Sequence, residues 1–329
     1  MPAVAEAAAL TPPDQLLRQL EFTVIRKLDG LLQGDYRTLW RGAGVDLADL
    51  REYQAHDDVR HIDWNVTARV QTPYVRQFHE DRDMNAWFLL DLSGSVDFGS
   101  AGVTKLAVAT RFVATLARVI TRHGNRVGAL LYGQRVHGVL PVRTGRQHVL
   151  ELLQRMQAPA PTAPAAPDQT RGTRLAELLH AAEGSIPRRS VVFVVSDFIS
   201  QPGWAPALGR LARRHDVVAV RLWDPLEMDL PDAGLVTLQD AETGEQLFVD
   251  ASSPAFRARY AELAEEQEAA LRTQLATSGA DVLELATDDE LLDVLMRFAD
   301  LRKQRARLKT PRRFPATLQR AAPLTETAT

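Results

Sequence analysis

A short motif at residues 91–95 combines one carboxylate with two hydroxyl groups at alternate positions. Asp91, Ser93 and Ser95 follow an apolar run at 87–90 that is typical of a buried strand. Alternate residues after a strand can point to the same side, and carboxylate and hydroxyl oxygens are the hard ligands that Mg²⁺ prefers. By itself, the motif is equally compatible with a polar strand end whose serines cap the next helix.

Two later positions supply further oxygen ligands. Asp197 ends a second apolar run, and Thr173 lies just before an amphipathic helical pattern. In an open α/β sheet, ligands bind beyond the carboxyl ends of the strands, where the strand order reverses. A single site for Mg²⁺ (or Mn²⁺) is therefore predicted from Asp91, Ser93, Ser95, Thr173 and Asp197.

The elements that would position these residues alternate regularly from residue 83 onwards. Apolar, strand-like runs lie at 86–91, 126–132, 191–197, 216–223 and 281–286. Amphipathic helical patterns come between them; the one at 104–124 places Leu106, Ala109 and Phe112 on one stripe. This alternation predicts an α/β fold with a doubly wound, mostly parallel sheet. An additional antiparallel edge strand is expected at 135–142.

The remaining segments are expected to flank or interrupt this sheet. The predicted division is a disordered N-terminus at 1–13, an N-terminal helical and extended appendage at 14–82, the α/β domain at 83–305 with a hairpin insertion at 234–252, and a basic, disordered tail at 306–329. A Pro/Ala-rich stretch at 157–172 is expected to be an extended, mobile loop.

Composition excludes several classes of protein. The 329 residues contain no cysteine, which excludes disulfides, thiolate zinc sites and a cysteine nucleophile. A net charge of −3 argues against a protein dominated by nucleic-acid binding, and no nucleic-acid partner is expected. No apolar run approaches the roughly 20 residues that span a bilayer. With no signal-peptide pattern either, a cytoplasmic location without a membrane segment is expected.

The five predicted ligands resemble the metal-ion-dependent adhesion site (MIDAS) of von Willebrand factor A domains. Asp91, Ser93 and Ser95 match its first motif, Thr173 its threonine loop, and Asp197 the acid after its central strand. The resemblance implies that the serines and the threonine bind the metal directly and that the acids bind it directly or through water. It also implies an open coordination position that accepts a carboxylate from a partner protein.

A second resemblance covers residues 51–76, which are similar to the signature of the bacterial DUF58 family. The matching residues are Arg51-Glu52-Tyr53, Asp57-Asp58, Arg60-His61-Ile62-Asp63-Trp64, Ala68-Arg69 and Tyr74-Val75-Arg76, with His56 where a glycine is common. The resemblance implies a von Willebrand A-like domain that acts as an accessory partner of a MoxR-type AAA+ ATPase, or of its client, in chaperone-like complex assembly or maturation. No enzymatic activity is established for this family.

The residues of the signature are interpreted as structural. Acids interleaved with arginines predict ion pairs that hold this segment on the sheet. Tyr53 and Trp64 are expected to anchor it through apolar contacts. A metal cluster of the Asp and His side chains at 56–63 is the less favoured alternative.

The sequence thus predicts a metal-dependent protein-interaction module. The alternative is a metal-dependent hydrolase or phosphatase that uses Asp91 and Asp197, but no clear general base accompanies them. Neither a P-loop nor a Gly-x-Ser-x-Gly elbow is present.

The basic stretch at 301–315 could bind nucleic acid or an acidic partner. A solvated helix end explains it equally well, because basic residues favour helix C-termini.

Overall fold

The computed structural model describes residues 11–31, 47–54, 59, 62–78, 85–100, 102–159, 172–239 and 245–308. Several predictions fall outside these residues. They concern most of the N-terminal segment 1–13, the central part of the Pro/Ala-rich loop at 160–171, the acidic pair at 57–58 and the tail from 309 onwards.

Strands and helices alternate through the main part of the chain. The strands are β1 (Leu47–Glu52), β2 (Tyr74–Phe78), β3 (Asn85–Asp91), β4 (Arg126–Tyr132), β5 (Val136–Arg143), β6 (Val191–Ser196), β7 (Asp216–Trp223), β8 (Leu235–Gln239), β9 (Gln246–Asp250) and β10 (Asp281–Ala286). The α-helices are α1 (Pro13–Leu20), α2 (Arg26–Leu31), α3 (Trp64–Val70), α4 (Lys105–Arg122), α5 (Arg146–Gln157), α6 (Leu175–Ser185), α7 (Trp204–Arg214), α8 (Pro254–Ser278) and α9 (Leu291–Leu308). Within the described ranges, no helix has the length and apolar character needed to cross a membrane.

Six strands form the central sheet, in the order β10-β7-β6-β3-β4-β5. All neighbouring strands are parallel except β4 and β5, which are antiparallel. The predicted doubly wound sheet with an antiparallel edge strand is therefore confirmed. From β3, the chain builds outwards through β4 and β5, then returns to add β6, β7 and β10 on the other side. The strand order thus reverses between β3 and β6.

Both faces of the sheet are covered, which explains the continuous apolar runs of its strands. Alternate side chains enter two different cores because successive residues of a strand point to opposite faces. Phe88 stacks on Phe193 of β6, with ring centroids 5.1 Å apart, in one core. Trp87 and Leu89 lie in the other core, together with Trp204 of α7.

The helix of the predicted N-terminal appendage packs into the first of these cores. A π-helical stretch, Glu21–Ile25, joins α1 to α2. The apolar stripe along these three segments is buried in the same cluster as Phe112 of α4. Glu21 accepts a hydrogen bond of 2.9 Å from Arg122, the last residue of α4. The N-terminal helix is thus a structural component of the α/β unit.

The signature segment at 51–76 forms a small unit with a two-stranded sheet of its own. Strands β1 and β2 pair antiparallel, and Ile62 forms a bridge with Val75. Asp63 caps α3, because its carboxylate accepts from the amides of Asn65 and Val66 at 3.0 and 3.2 Å. Capping of this kind satisfies amides that have no partner inside the helix.

The predicted role of Trp64 as an apolar anchor is wrong, because its side chain is 70% exposed. Asp63 takes the inward position at this helix end and is itself buried. The next residue is rotated by about 100° around the helix and therefore faces solvent. Among the described side chains of this segment, the apolar residue that is buried is Val75, and Tyr53 is half-buried.

Two peripheral elements complete the described chain. Strands β8 and β9 form the predicted hairpin, and Leu235 and Phe248 on it are largely exposed. The basic segment begins within α9, where Arg302 is buried and its guanidinium lies 2.6 Å from Asp216. At least this basic residue therefore serves the fold.

A pair of alanine variants tests whether the N-terminal helix is part of the core. Ile25→Ala removes a fully buried side chain and should lower the free energy of unfolding by about 2–5 kcal/mol. Phe22→Ala, three residues earlier on the exposed face, should change it by no more than about 0.5 kcal/mol. Urea denaturation of both variants measures these values. Equal small effects would show that the helix is dispensable.

Candidate metal centre

The two predicted acidic ligands lie where the strand order reverses. Strands β3 and β6 pair in parallel with Leu90 beside Val195, which brings Asp91 next to Ser196. The hydroxyl of Ser196 donates to Asp91 Oδ2 at 2.7 Å, and Asp197 is the next residue. Both carboxylates are 1% exposed.

The loop after β3 turns both serines of the motif inward. The amide of Ser93 donates to Asp91 Oδ1 at 3.1 Å, which folds the chain back over the strand end. A 3₁₀ turn at Gly94–Asp97 follows, and both serine side chains are buried. Their hydroxyl oxygens lie 3.2 Å apart, within hydrogen-bond distance. Asp91, Ser93 and Ser95 thus form one cluster of oxygens, as the alternation predicts.

Thr173 is buried at the same edge of the sheet. Its carbonyl accepts from the amide of Gln201 at 2.9 Å and from the hydroxyl of Ser200 at 2.8 Å, both in the loop after β6. The next amide, of Arg174, donates to the Tyr132 hydroxyl at 2.9 Å. Since Tyr132 is the β4 partner of Asp91, the threonine loop is attached on both sides of β3.

The carboxylates of the site repel each other. Burial and, second, the negative charge of Asp197 together raise the pKa of Asp91 to about 6, against the opposing hydrogen bonds from Ser196 and Ser93. A buried carboxyl group beside another carboxylate is stabilised by any cation that reaches both. The local electrostatics therefore favour a bound cation at this position.

Sequence reasoning missed a buried lysine beside the site. The ammonium of Lys105 lies 2.9 Å from Asp197 Oδ2 and 2.6 Å from Glu227 Oε1. Burial by itself lowers the pKa of Lys105, but these two carboxylates overcome that effect and raise it, so the side chain is charged. The signal was present in the sequence, because Lys105 precedes Ala109 and Phe112 by four and seven residues on the apolar stripe. Lys105 is 1% exposed, whereas the expected Leu106 is only partly buried.

Glu227 connects the site to a third buried carboxylate, that of Asp224. It accepts from the amide of Asp224 at 3.0 Å, and Asp224 in turn accepts from the hydroxyls of Ser100 and Thr287 at 2.9 and 2.6 Å. Burial by itself raises the pKa of Asp224, but the hydrogen bonds from Thr287, Leu226 and Ser100 outweigh it and lower the pKa. This network joins the loops that follow β3, β6, β7 and β10.

Phe198, in the left-handed backbone conformation, helps to position Asp197. Phe198 has a φ of 61°, which is strained for a bulky side chain. Its ring is buried against Trp204, with centroids 5.2 Å apart, and its amide donates to Ser196. The chain then turns so that the Ile199 amide donates to Asp197 Oδ1 at 3.0 Å.

The donor set fits a small, hard divalent cation. Two carboxylates and three neutral hydroxyls supply oxygen ligands, as Mg²⁺ and Mn²⁺ prefer. Among the residues that the structure describes, no three or more His, Cys, Asp or Glu side chains form a group that could hold a metal ion. A metal at this edge would therefore depend on the hydroxyls, and the five-residue assignment stays a prediction.

Comparisons with other proteins give a family and uncharacterized relatives. A family model described as "Protein of unknown function DUF58" matches residues 49–270. An uncharacterized protein of Mycobacterium tuberculosis is 38% identical over 292 residues, which cover 88% of this chain and 90% of the relative. An uncharacterized protein of Mycobacterium avium is 34% identical over 169 residues, which cover 51% of this chain and 95% of the relative.

Solved structures with a similar arrangement include two that have little sequence identity. The conserved hypothetical protein BatB from Bacteroides thetaiotaomicron is 15% identical, with a TM-score of 0.43 over 69% of this chain and all of BatB. The SpRpn10 VWA domain is 12% identical, with a TM-score of 0.34 over 65% of this chain and 93% of that domain. Because these scores are low, we base the description of the fold on its strand order.

The raised pKa of Asp91 predicts a pH dependence of stability. Its value of about 6 exceeds the ordinary 3.8, so the folded state binds this proton more tightly than the unfolded state does. Stability should therefore rise as the pH falls from 7 through 6, by roughly 1 kcal/mol between pH 7 and pH 5. Asp91→Asn should lack this contribution, and urea denaturation in EDTA at both pH values measures the difference.

Asp97→Asn is the matched control for this experiment. It makes the same change of charge on an exposed residue of the same loop and should keep the pH response of the wild type. Identical pH responses in the wild type and Asp91→Asn would contradict the raised pKa.

Proposed function

Because the chain belongs to the DUF58 family, whose description states no function, we propose its function from the site. The protein is a metal-dependent protein-interaction module of von Willebrand A-like type. It binds Mg²⁺ or Mn²⁺ through Asp91, Ser93, Ser95, Thr173 and Asp197 and engages a carboxylate on a partner protein.

The observation that carries the proposal is the burial of these side chains at one edge of the sheet. Each of the five is buried, and all lie at strand ends or in loops at the carboxyl edge of the sheet, beside the reversal of strand order. The acids follow two neighbouring strands, and a bound cation would reduce the repulsion between them. A polar strand end that merely capped a helix would need neither the second acid nor the threonine.

The chemistry of the ligands supports recognition of an anion. When bound, the divalent ion would supply a positive centre with room for a further oxygen ligand, since Mg²⁺ takes about six. Ser93, Ser95 and Thr173 are neutral, so they hold an ion without cancelling its charge. An incoming Asp or Glu of a partner would therefore be attracted to it.

Binding is favoured over catalysis because the acids are already engaged. Asp91 accepts from the Ser93 amide and the Ser196 hydroxyl, one at each oxygen. Asp197 likewise accepts from the Ile199 amide and the Lys105 ammonium. A general base needs a carboxylate that can take a proton from substrate, whereas these hydrogen bonds orient the acids as fixed ligands. The hydrolase reading has no comparable support.

The proposed partner is a MoxR-type AAA+ ATPase or its client, in chaperone-like assembly or maturation of a complex. This part of the proposal is supported by the sequence signature at 51–76. The family with this signature is expected to act together with such ATPases. The cytoplasmic location expected from the sequence stays a prediction.

Metal binding should stabilise the protein. At one hundred times Kd, MgCl₂ or MnCl₂ should raise the free energy of unfolding by about 2.7 kcal/mol, because the ion binds only the folded state. Asp91→Asn should lose this response, whereas Asp97→Asn, with the same change of charge on the same loop, should keep it. Thermal denaturation with and without EDTA measures both. Equal metal responses in the two variants would show that the metal binds elsewhere.

Partner binding should depend on the same residues. Calorimetric titration with a MoxR-type ATPase of the same organism should show at least about tenfold weaker binding in EDTA and in Ser93→Ala or Thr173→Ala, since each loses about 1.4 kcal/mol or more. Ser252→Ala, at an exposed serine between β9 and α8 that is not among the proposed ligands, should bind like the wild type. Undiminished binding by the two site variants would show that the partner binds another surface, such as the one around the exposed Trp64 or the β8–β9 hairpin.

A further inference from the structure

The charge next to the proposed metal position is unusual for a cation site. Lys105 is a cation buried in contact with Asp197, one of the two acids that would bind the metal. Its second anionic partner, Glu227, lies in the loop after β7, and its side chain is 23% exposed. The ammonium is thus shared between a proposed metal ligand and an acid outside the ligand set.

We propose that Lys105 is a resident counter-ion that competes with the divalent metal for Asp197 and so sets the affinity of the site. This inference rests on the metal-dependent function proposed above. Without metal, the ammonium neutralises Asp197 and keeps the loop after β6 in position. With metal, Asp197 must be shared between two cations, and their repulsion weakens metal binding.

Glu227 determines how strongly Lys105 competes. Its carboxylate forms the shorter of the two contacts, 2.6 Å against 2.9 Å, and draws the ammonium away from Asp197. Glu227 is held in turn by the amide of Asp224, so the balance depends on a fixed loop. Charges a few ångströms apart in a buried site interact far more strongly than they would in water. Small changes in this triad should therefore produce large changes in metal affinity.

Two single variants should shift the affinity in opposite directions. Lys105→Met keeps an unbranched side chain of nearly the same length but removes its charge, and it should lower Kd for Mn²⁺ and Mg²⁺ by at least about tenfold. Glu227→Gln leaves the ammonium to Asp197 alone and should raise Kd by about tenfold. Calorimetric titration of the full chain with MnCl₂ and MgCl₂ measures Kd. Thermal denaturation in EDTA should show that Lys105→Met is less stable than the wild type.

The combination of lower stability and tighter metal binding separates this role from a purely structural one. A lysine needed only for folding would lower the melting temperature and leave Kd unchanged or raised. The double variant Lys105→Met/Glu227→Gln has the same net charge as the wild type. It should still bind metal at least about threefold more tightly, because the direct contact with Asp197 is gone.

Each outcome has a distinct meaning. Metal binding by the wild type with the same Kd in Lys105→Met would overturn the role of Lys105 and leave the proposed function intact. Failure of the wild type and both single variants to bind either metal would overturn the proposed function itself. If Lys105→Met does not fold without metal, refolding with MnCl₂ supports the inference. If it never folds, Glu227→Gln decides, and an unchanged Kd there would refute the competition.

Discussion

The repulsion between two buried carboxylates, Asp91 and Asp197, is the constraint around which the carboxyl edge of the sheet is arranged. Burying a charge without compensation is costly, and two like charges side by side increase that cost. Each of the four carboxylate oxygens accepts a hydrogen bond, from Ser196, the Ser93 amide, the Ile199 amide or Lys105. The turn after β3, the strained Phe198 and the buried lysine all serve to provide these donors.

The same constraint explains why the loops at this edge are linked to one another. Lys105 needs a second anion because one carboxylate compensates a buried ammonium only in part, and Glu227 supplies it. Glu227 is then held by Asp224, which collects donors from Ser100 and Thr287. A polar network with its groups satisfied is rigid. The two proposed acidic ligands therefore belong to a framework of hydrogen bonds that forms without a metal.

The signature segment gains a physical explanation from its own small sheet. Asp63 is used as a helix cap, and Ile62 pairs with Val75 of β2, so this part of the motif serves local folding. Trp64 is left exposed beside it, and Leu235 and Phe248 are exposed on the separate β8–β9 hairpin. These three exposed apolar side chains lie on peripheral elements, whereas the proposed metal ligands are buried at the edge of the main sheet. These two kinds of surface are suited to different contacts.

The sequence by itself determined the elements and the residue types at the strand ends. Apolar runs and helical stripes depend on the periodicity of one segment, so β3 to β7, β10 and the helices between them could be predicted, together with acids at the ends of β3 and β6. Only the tertiary structure decided that Lys105 contacts Asp197, which lies 92 residues further along the chain. It also decided that the pKa of Asp91 is raised and that Trp64 faces outward. These properties depend on which elements become neighbours, and periodicity within one segment carries no information about its neighbours in the folded sheet.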